Sequence, residues 1–66
     1  MSLQPHQQRV VTEKDELDEK IVKLNAFLNG SFFSTLDSSE QEHLKLQAHY
    51  MSEYSDVLGA RIAAFK

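Results

Sequence analysis

From His6 to Asn29 the chain contains no Gly or Pro, and Leu17, Ile21, Leu24 and Leu28 recur at steps of four, three and four. Carried backwards, the same register reaches Lys14 and Val10. An apolar seam that alternates threes and fours specifies a helix packed along one line against another helix. It excludes a strand, whose side chains would have to alternate in twos. The residues between seam positions are largely charged: Glu13, Asp15, Glu16, Asp18, Glu19, Lys20 and Lys23. Glu16 with Lys20 and Glu19 with Lys23 are i,i+4 pairs in the favourable orientation, worth a few tenths of a kcal/mol each.

Asn29-Gly30 ends this helix, and a Gly just past a helix is expected in the left-handed conformation. Pro5 suits the first turn, where a missing N–H is not needed. Ser31 to Leu36 reads as a short connector whose Phe32 and Phe33, with Phe27, are expected to plug the closed end of a hairpin and leave water. A second helix opens at Asp37-Ser38-Ser39-Glu40, an N-cap with an acidic first turn that resembles a capping box. Leu44, Met51, Leu58 and Phe65 then recur every seven residues, with Ala48 and Ile62 on the same side. Gly59 lies inside this stretch, where it costs about 1 kcal/mol against Ala. It marks either fraying or a close approach by the other helix.

The expected architecture is therefore all-α. A single domain, residues 1–66, forms an antiparallel two-helix hairpin: helix about 6–29, connector 30–36, helix about 37–65. The helices are close to one another in length, at about 36 and 42 Å, and the connector is short.

A two-helix hairpin has one interface and no middle. At 66 residues without Cys there is no disulfide to compensate, and chains this small rarely gain more than a few kcal/mol from one core. Val11, Val22, Leu46, Tyr50 and Val57 also lie outside the main seams. Self-association into a helical bundle or ring is the expected remedy.

Several functions are excluded or disfavoured. Net charge is −3, with 10 Asp+Glu against 7 Lys+Arg, so duplex nucleic acid finds no basic footprint. No apolar run approaches the roughly 18 residues of a membrane span, and residues 1–6 do not read as a signal peptide. A cytoplasmic protein is expected. His6, His43 and His49 offer no chelating spacing, since the last two are about 240° apart around a helix. No metal and no cofactor are expected. Ser and Thr hydroxyls lack a nucleophile elbow or a Gly-rich phosphate loop, so no catalytic residue is assigned and no enzyme activity is expected.

One grouping is chemically suggestive. In an antiparallel hairpin about this connector, facing residue numbers sum to roughly 70. Arg9 then lies near Arg61, and Lys14 near Tyr54, at the open end. Arg forks and a Lys charge bind phosphate, and a Tyr ring can stack on a base. Arg9, Lys14, Tyr54 and Arg61 are the candidate ligand-binding residues. The bland alternative is that Lys14 and Arg61 lie along the surface and pair with Glu13, Asp18, Glu53 or Asp56 of a neighbouring helix. The seam is assigned to Val10, Leu17, Ile21, Leu24, Leu28, Leu44, Met51, Leu58, Ile62 and Phe65.

The run Gln8-Arg9-Val10-Val11-x-Glu13-Lys14-x-Glu16-Leu17-Asp18-x-Lys20-Ile21-x-Lys23-Leu24-x-x-Phe27 resembles the start of a family of short uncharacterised phage and prophage helical-hairpin proteins, the crAss-phage-related small proteins. The likeness continues through Phe33-x-x-Leu36, Glu40-Gln41-x-x-Leu44-x-x-Gln47, Met51-x-x-Tyr54-x-x-x-Leu58 and Arg61-Ile62-x-x-Phe65. The resemblance implies a phage accessory protein in a bacterial host cell. In size and hairpin plan the chain is also similar to phage anti-defence sponges, which hold cyclic nucleotides between protomers, although no motif of theirs is present. The functional expectation is a non-enzymatic homo-oligomer that sequesters a small anionic nucleotide ligand. The alternative is an adaptor that binds a host or phage protein through its apolar face.

Overall fold

A computed structural model describes residues 3–65. Two helices, α1 (Pro5–Leu28) and α2 (Ser38–Ala63), are joined through a 3₁₀ turn at Ser31–Thr35. They pack antiparallel into a rod whose Cα atoms span 49 × 14 × 13 Å. Among the described residues there is no strand.

Each helix boundary has a chemical cause. Pro5 is the first residue of α1, as its fixed φ favours. The Gln4 backbone N–H, just outside, donates to the Gln7 side-chain oxygen at 2.9 Å. At the other end the Asn29 side chain donates to the Asn25 carbonyl at 3.0 Å, which also accepts the Asn29 backbone N–H at 3.1 Å. Asp37 caps α2 by accepting the Glu40 N–H at 2.8 Å.

Gly30 departs from expectation. It is extended, with φ −84° and ψ 163°, and no described residue has positive φ. Asn29 makes the exit instead, near φ −90° and ψ −3°, and the chain runs straight into the 3₁₀ turn. That turn is held by its own hydroxyls: Ser34 donates to the Ser31 carbonyl at 2.8 Å and Thr35 to the Phe32 carbonyl at 2.6 Å. No left-handed residue is needed when the reversal is spread over a second short helix.

The phenylalanines gather but do not form a sealed plug. The Phe27 ring lies 6.0 Å from Phe32 and 6.4 Å from Phe33, within the range of aromatic pairs. Phe33 is half-buried, yet Phe32 remains 63% exposed. Two helices converging on a tight turn leave no third wall to cover it.

Val10 and Leu58 are buried, and Leu17, Ile21, Leu24, Leu28, Leu44, Ala48, Met51, Ile62 and Phe65 are all half-buried. Phe65 lies just past the end of α2. Only Val10, Ser55 and Leu58 are fully buried among the described residues, and all three sit toward the open end. Glu16–Lys20 and Glu19–Lys23 do not close to ion-pair distance. The ion pair among the described residues is Lys14–Asp18. Exposed pairs gain too little to hold two long side chains in one geometry; Lys14 has a second partner to hold it.

Candidate functional site

That second partner is Ser55. The Lys14 ammonium donates to the Asp18 carboxylate at 3.0 Å and to the Ser55 hydroxyl at 2.8 Å. The Ser55 hydroxyl donates onward to the other Asp18 oxygen at 2.5 Å. The three groups close a triangle across the helix interface. Its members come from α1 at i and i+4 and from a buried position of α2. Among the described residues no buried side-chain nitrogen or oxygen lacks a partner, which is what makes a polar layer tolerable in an apolar seam.

The Ser55 hydrogen bond, followed by the Lys14 hydrogen bond, holds the Asp18 carboxyl below its ordinary pKa. Both contacts favour the ionised form. Gly59, one turn from Ser55, lies against the lysine: a Cβ there would sit 3.4 Å from Lys14 Cε, an ordinary contact distance. So Gly59 is not a frayed end but the floor under a side chain that crosses from α1.

Of these residues, Ser55 was not assigned to the seam by its chemistry. Its signal is positional. Inserted between Ala48 and Ile62, it completes the series 44, 48, 51, 55, 58, 62, 65, an unbroken alternation of fours and threes. The missing layer of α2 therefore meets the charged layer of α1.

The other candidate residues occupy a different side. The Tyr54 hydroxyl donates to the Glu13 carboxylate, and Tyr54 remains 44% exposed. This bond and the Lys14–Ser55 contact fix the register close to that expected from the connector. Arg9 is exposed and shares a shallow open hollow on α1 with Pro5, Gln8, Thr12, Glu13 and Glu16. Arg61 is exposed in the last turn of α2, where the helix dipole favours a cation. The structure thus divides the four residues. Lys14 turns inward to Asp18 and Ser55, while Arg9, Tyr54 and Arg61 stay on the surface of the open end. Tyr50, 65% exposed, stands edge-on to His49 with ring centroids 5.2 Å apart.

Among the described residues no group of His, Asp or Glu is placed to hold a metal ion. Among the described residues no helix is long and apolar enough to cross a membrane.

No solved structure matches this chain. A curated relative does: the "Uncharacterized 7.5 kDa protein in denB-rIIB intergenic region" of Enterobacteria phage T4 is 43% identical over 61 residues, covering 92% of this chain and 95% of that protein. The Sequestin family model matches residues 4–64, from the cap of α1 to the end of α2. The chain therefore belongs to the Sequestin family.

Proposed function

We propose that this protein is a non-enzymatic phage accessory protein that self-associates and sequesters a small anionic ligand at its open end. A host cyclic-nucleotide signal in the bacterial cytoplasm is the favoured ligand class. The observation that carries this reading is the placement of Arg9 and Arg61. Both are exposed cations at one end of an acidic rod, outside its Lys14–Asp18 ion pair, and the Tyr54 ring is 44% exposed beside Ser55 of the polar layer. Guanidinium forks recognise phosphate oxygens bidentately, and a half-exposed Tyr offers a stacking face. The family's name points the same way, toward holding a molecule rather than transforming it. In this arrangement Arg9, Tyr54 and Arg61 touch a ligand held where two copies meet, and Lys14 acts from beneath by fixing the register that presents them.

Calorimetric titration of the assembled protein with a panel of cyclic di- and trinucleotides tests the proposal. Binding should appear with at least one of them, weaken as salt is added, and fall at least tenfold in Arg61→Ala. A flat titration across the panel overturns the nucleotide reading.

A second reading is a protein–protein adaptor, favoured by the aromatic tip at the closed end, where Phe32 is 63% and Phe27 38% exposed. Exposed aromatic side chains are common anchors in protein interfaces. A tagged chain recovered from infected cells separates the two: a stoichiometric protein partner supports the adaptor, and a bound small molecule without one supports the sequestering protein.

A further inference from the structure

The large apolar side chains that α2 leaves exposed among the described residues are Leu46, Tyr50, Tyr54 and Val57, at 49, 65, 44 and 56%. Their spacing is four, four and three. With 3.6 residues per turn they fall within an arc of about 80°, centred roughly 110° around α2 from the seam. This is a second face, not the rim of the first. His43 and Arg61 prolong the same stripe at its two ends, and the acids of α2 fall outside the arc.

The stripe is a palindrome. Turned end for end about a point near residue 52, Tyr50 exchanges places with Tyr54, Leu46 with Val57, and His43 with Arg61. In a two-fold contact one patch serves both partners, and across such an axis this stripe sets Tyr against Tyr and Leu against Val. We propose that two copies pair through this face. The α2 helices run antiparallel across a two-fold axis, with Tyr50 of one copy against Tyr54 of the other.

Surface area supports a second copy as the occupant. The hairpin exposes 5093 Å², against about 4,300 Å² for a compact monomer of its 7.6 kDa mass. The excess, about 800 Å², is what each partner gives up in an interface of standard size. The stripe runs about 17 Å from Leu46 to Val57, and Tyr at its centre is a residue type enriched in interface cores. The outer face of α1 is less suited to such a contact. Its exposed Val22 stands among Asp15, Asp18, Glu19 and Lys23, which would have to be desolvated.

The inference deepens the self-association on which the proposed function rests, and it has its own test. In sedimentation equilibrium, the full chain should have twice its monomer mass. Tyr50→Glu and Val57→Glu should sediment at half that mass while circular dichroism shows their helices intact. Val22→Glu should keep the dimer. The chain has no cysteine, so a pool carrying Tyr50→Cys and a pool carrying Tyr54→Cys can be mixed and oxidised. The mixed disulfide should form faster than either pool cross-links with itself. If the unaltered chain is a monomer at every concentration, self-association falls altogether, and ligand titration then decides the sequestering reading separately. If it is oligomeric but Tyr50→Glu and Val57→Glu keep its mass, or Val22→Glu alone dissociates it, this face is overturned and self-association stands.

Discussion

Ser55 does more for this fold than its size suggests. It is 6% exposed, accepts from Lys14 and donates to Asp18. Ser55→Ala would remove two hydrogen bonds and leave a lysine and a carboxylate sharing one contact, at a cost of about 1–2 kcal/mol near neutral pH. Urea denaturation of the two chains measures it. The cost should depend on pH in a defined direction. Asp18 binds its proton less readily in the folded chain than in the unfolded one. Its contribution is therefore complete above the ordinary carboxylate pKa of about 4 and disappears as pH falls through the lower folded value. The gap between the unaltered and Ser55→Ala chains should narrow below about pH 4; a gap that stays constant would remove Asp18 from the layer. Lys14 was legible in the sequence as the one charged member of the α1 seam. Ser55 was not, because a small hydroxyl carries no hydrophobic signal, and only the completed alternation of threes and fours places it. That Lys14 chooses Asp18 on its own helix needed the structure, since both helices offered carboxylates within reach.

The helices were the most legible elements, because apolar spacing and caps agree along nearly their whole length. Both were located to within about two residues, the accuracy usual at frayed ends. The connector was legible only as a break. Ser31–Thr35 carries no periodic signal, so neither its 3₁₀ turn nor the extended Gly30 could be read from it. Gly59 shows how a local rule gains meaning from packing. Its Cβ position faces the flexible end of a lysine at 3.4 Å, an ordinary contact distance. Gly59→Ala should therefore recover most of the helix propensity, stabilising by up to about 1 kcal/mol. A thermal melt of the variant reads this directly, and a lower midpoint would mean that the Lys14 stem cannot give way.

Taken whole, the molecule is a rod and not a globule. Its radius of gyration is 15.2 Å, against about 11 Å for a compact chain of this length. Little of its apolar surface can hide inside one copy. A melting temperature that rises with protein concentration is the expected signature of assembly, and an unchanged midpoint over a hundredfold dilution would contradict it. The fold class was legible because helix pairing is written in spacing. The candidate site was legible only in outline. Its charges could be placed at one end, but their division into an inward lysine and outward arginines depends on contacts between residues some forty positions apart.

The three buried residues, Val10, Ser55 and Leu58, lie far from the connector, and Lys14 meets Ser55 across a separation of 41 residues. The hairpin is thus a zipper fastened at its free end. Pairs beside the turn close cheaply and gain little, and the tightest layer forms only when the rest is aligned. Closure should be all-or-none, with no half-zipped state held at the turn. The connector can then vary in length at small cost, since doubling a flexible loop adds only about 0.6 kcal/mol of closure entropy. The ends that join the chain at its polar layer have no such latitude.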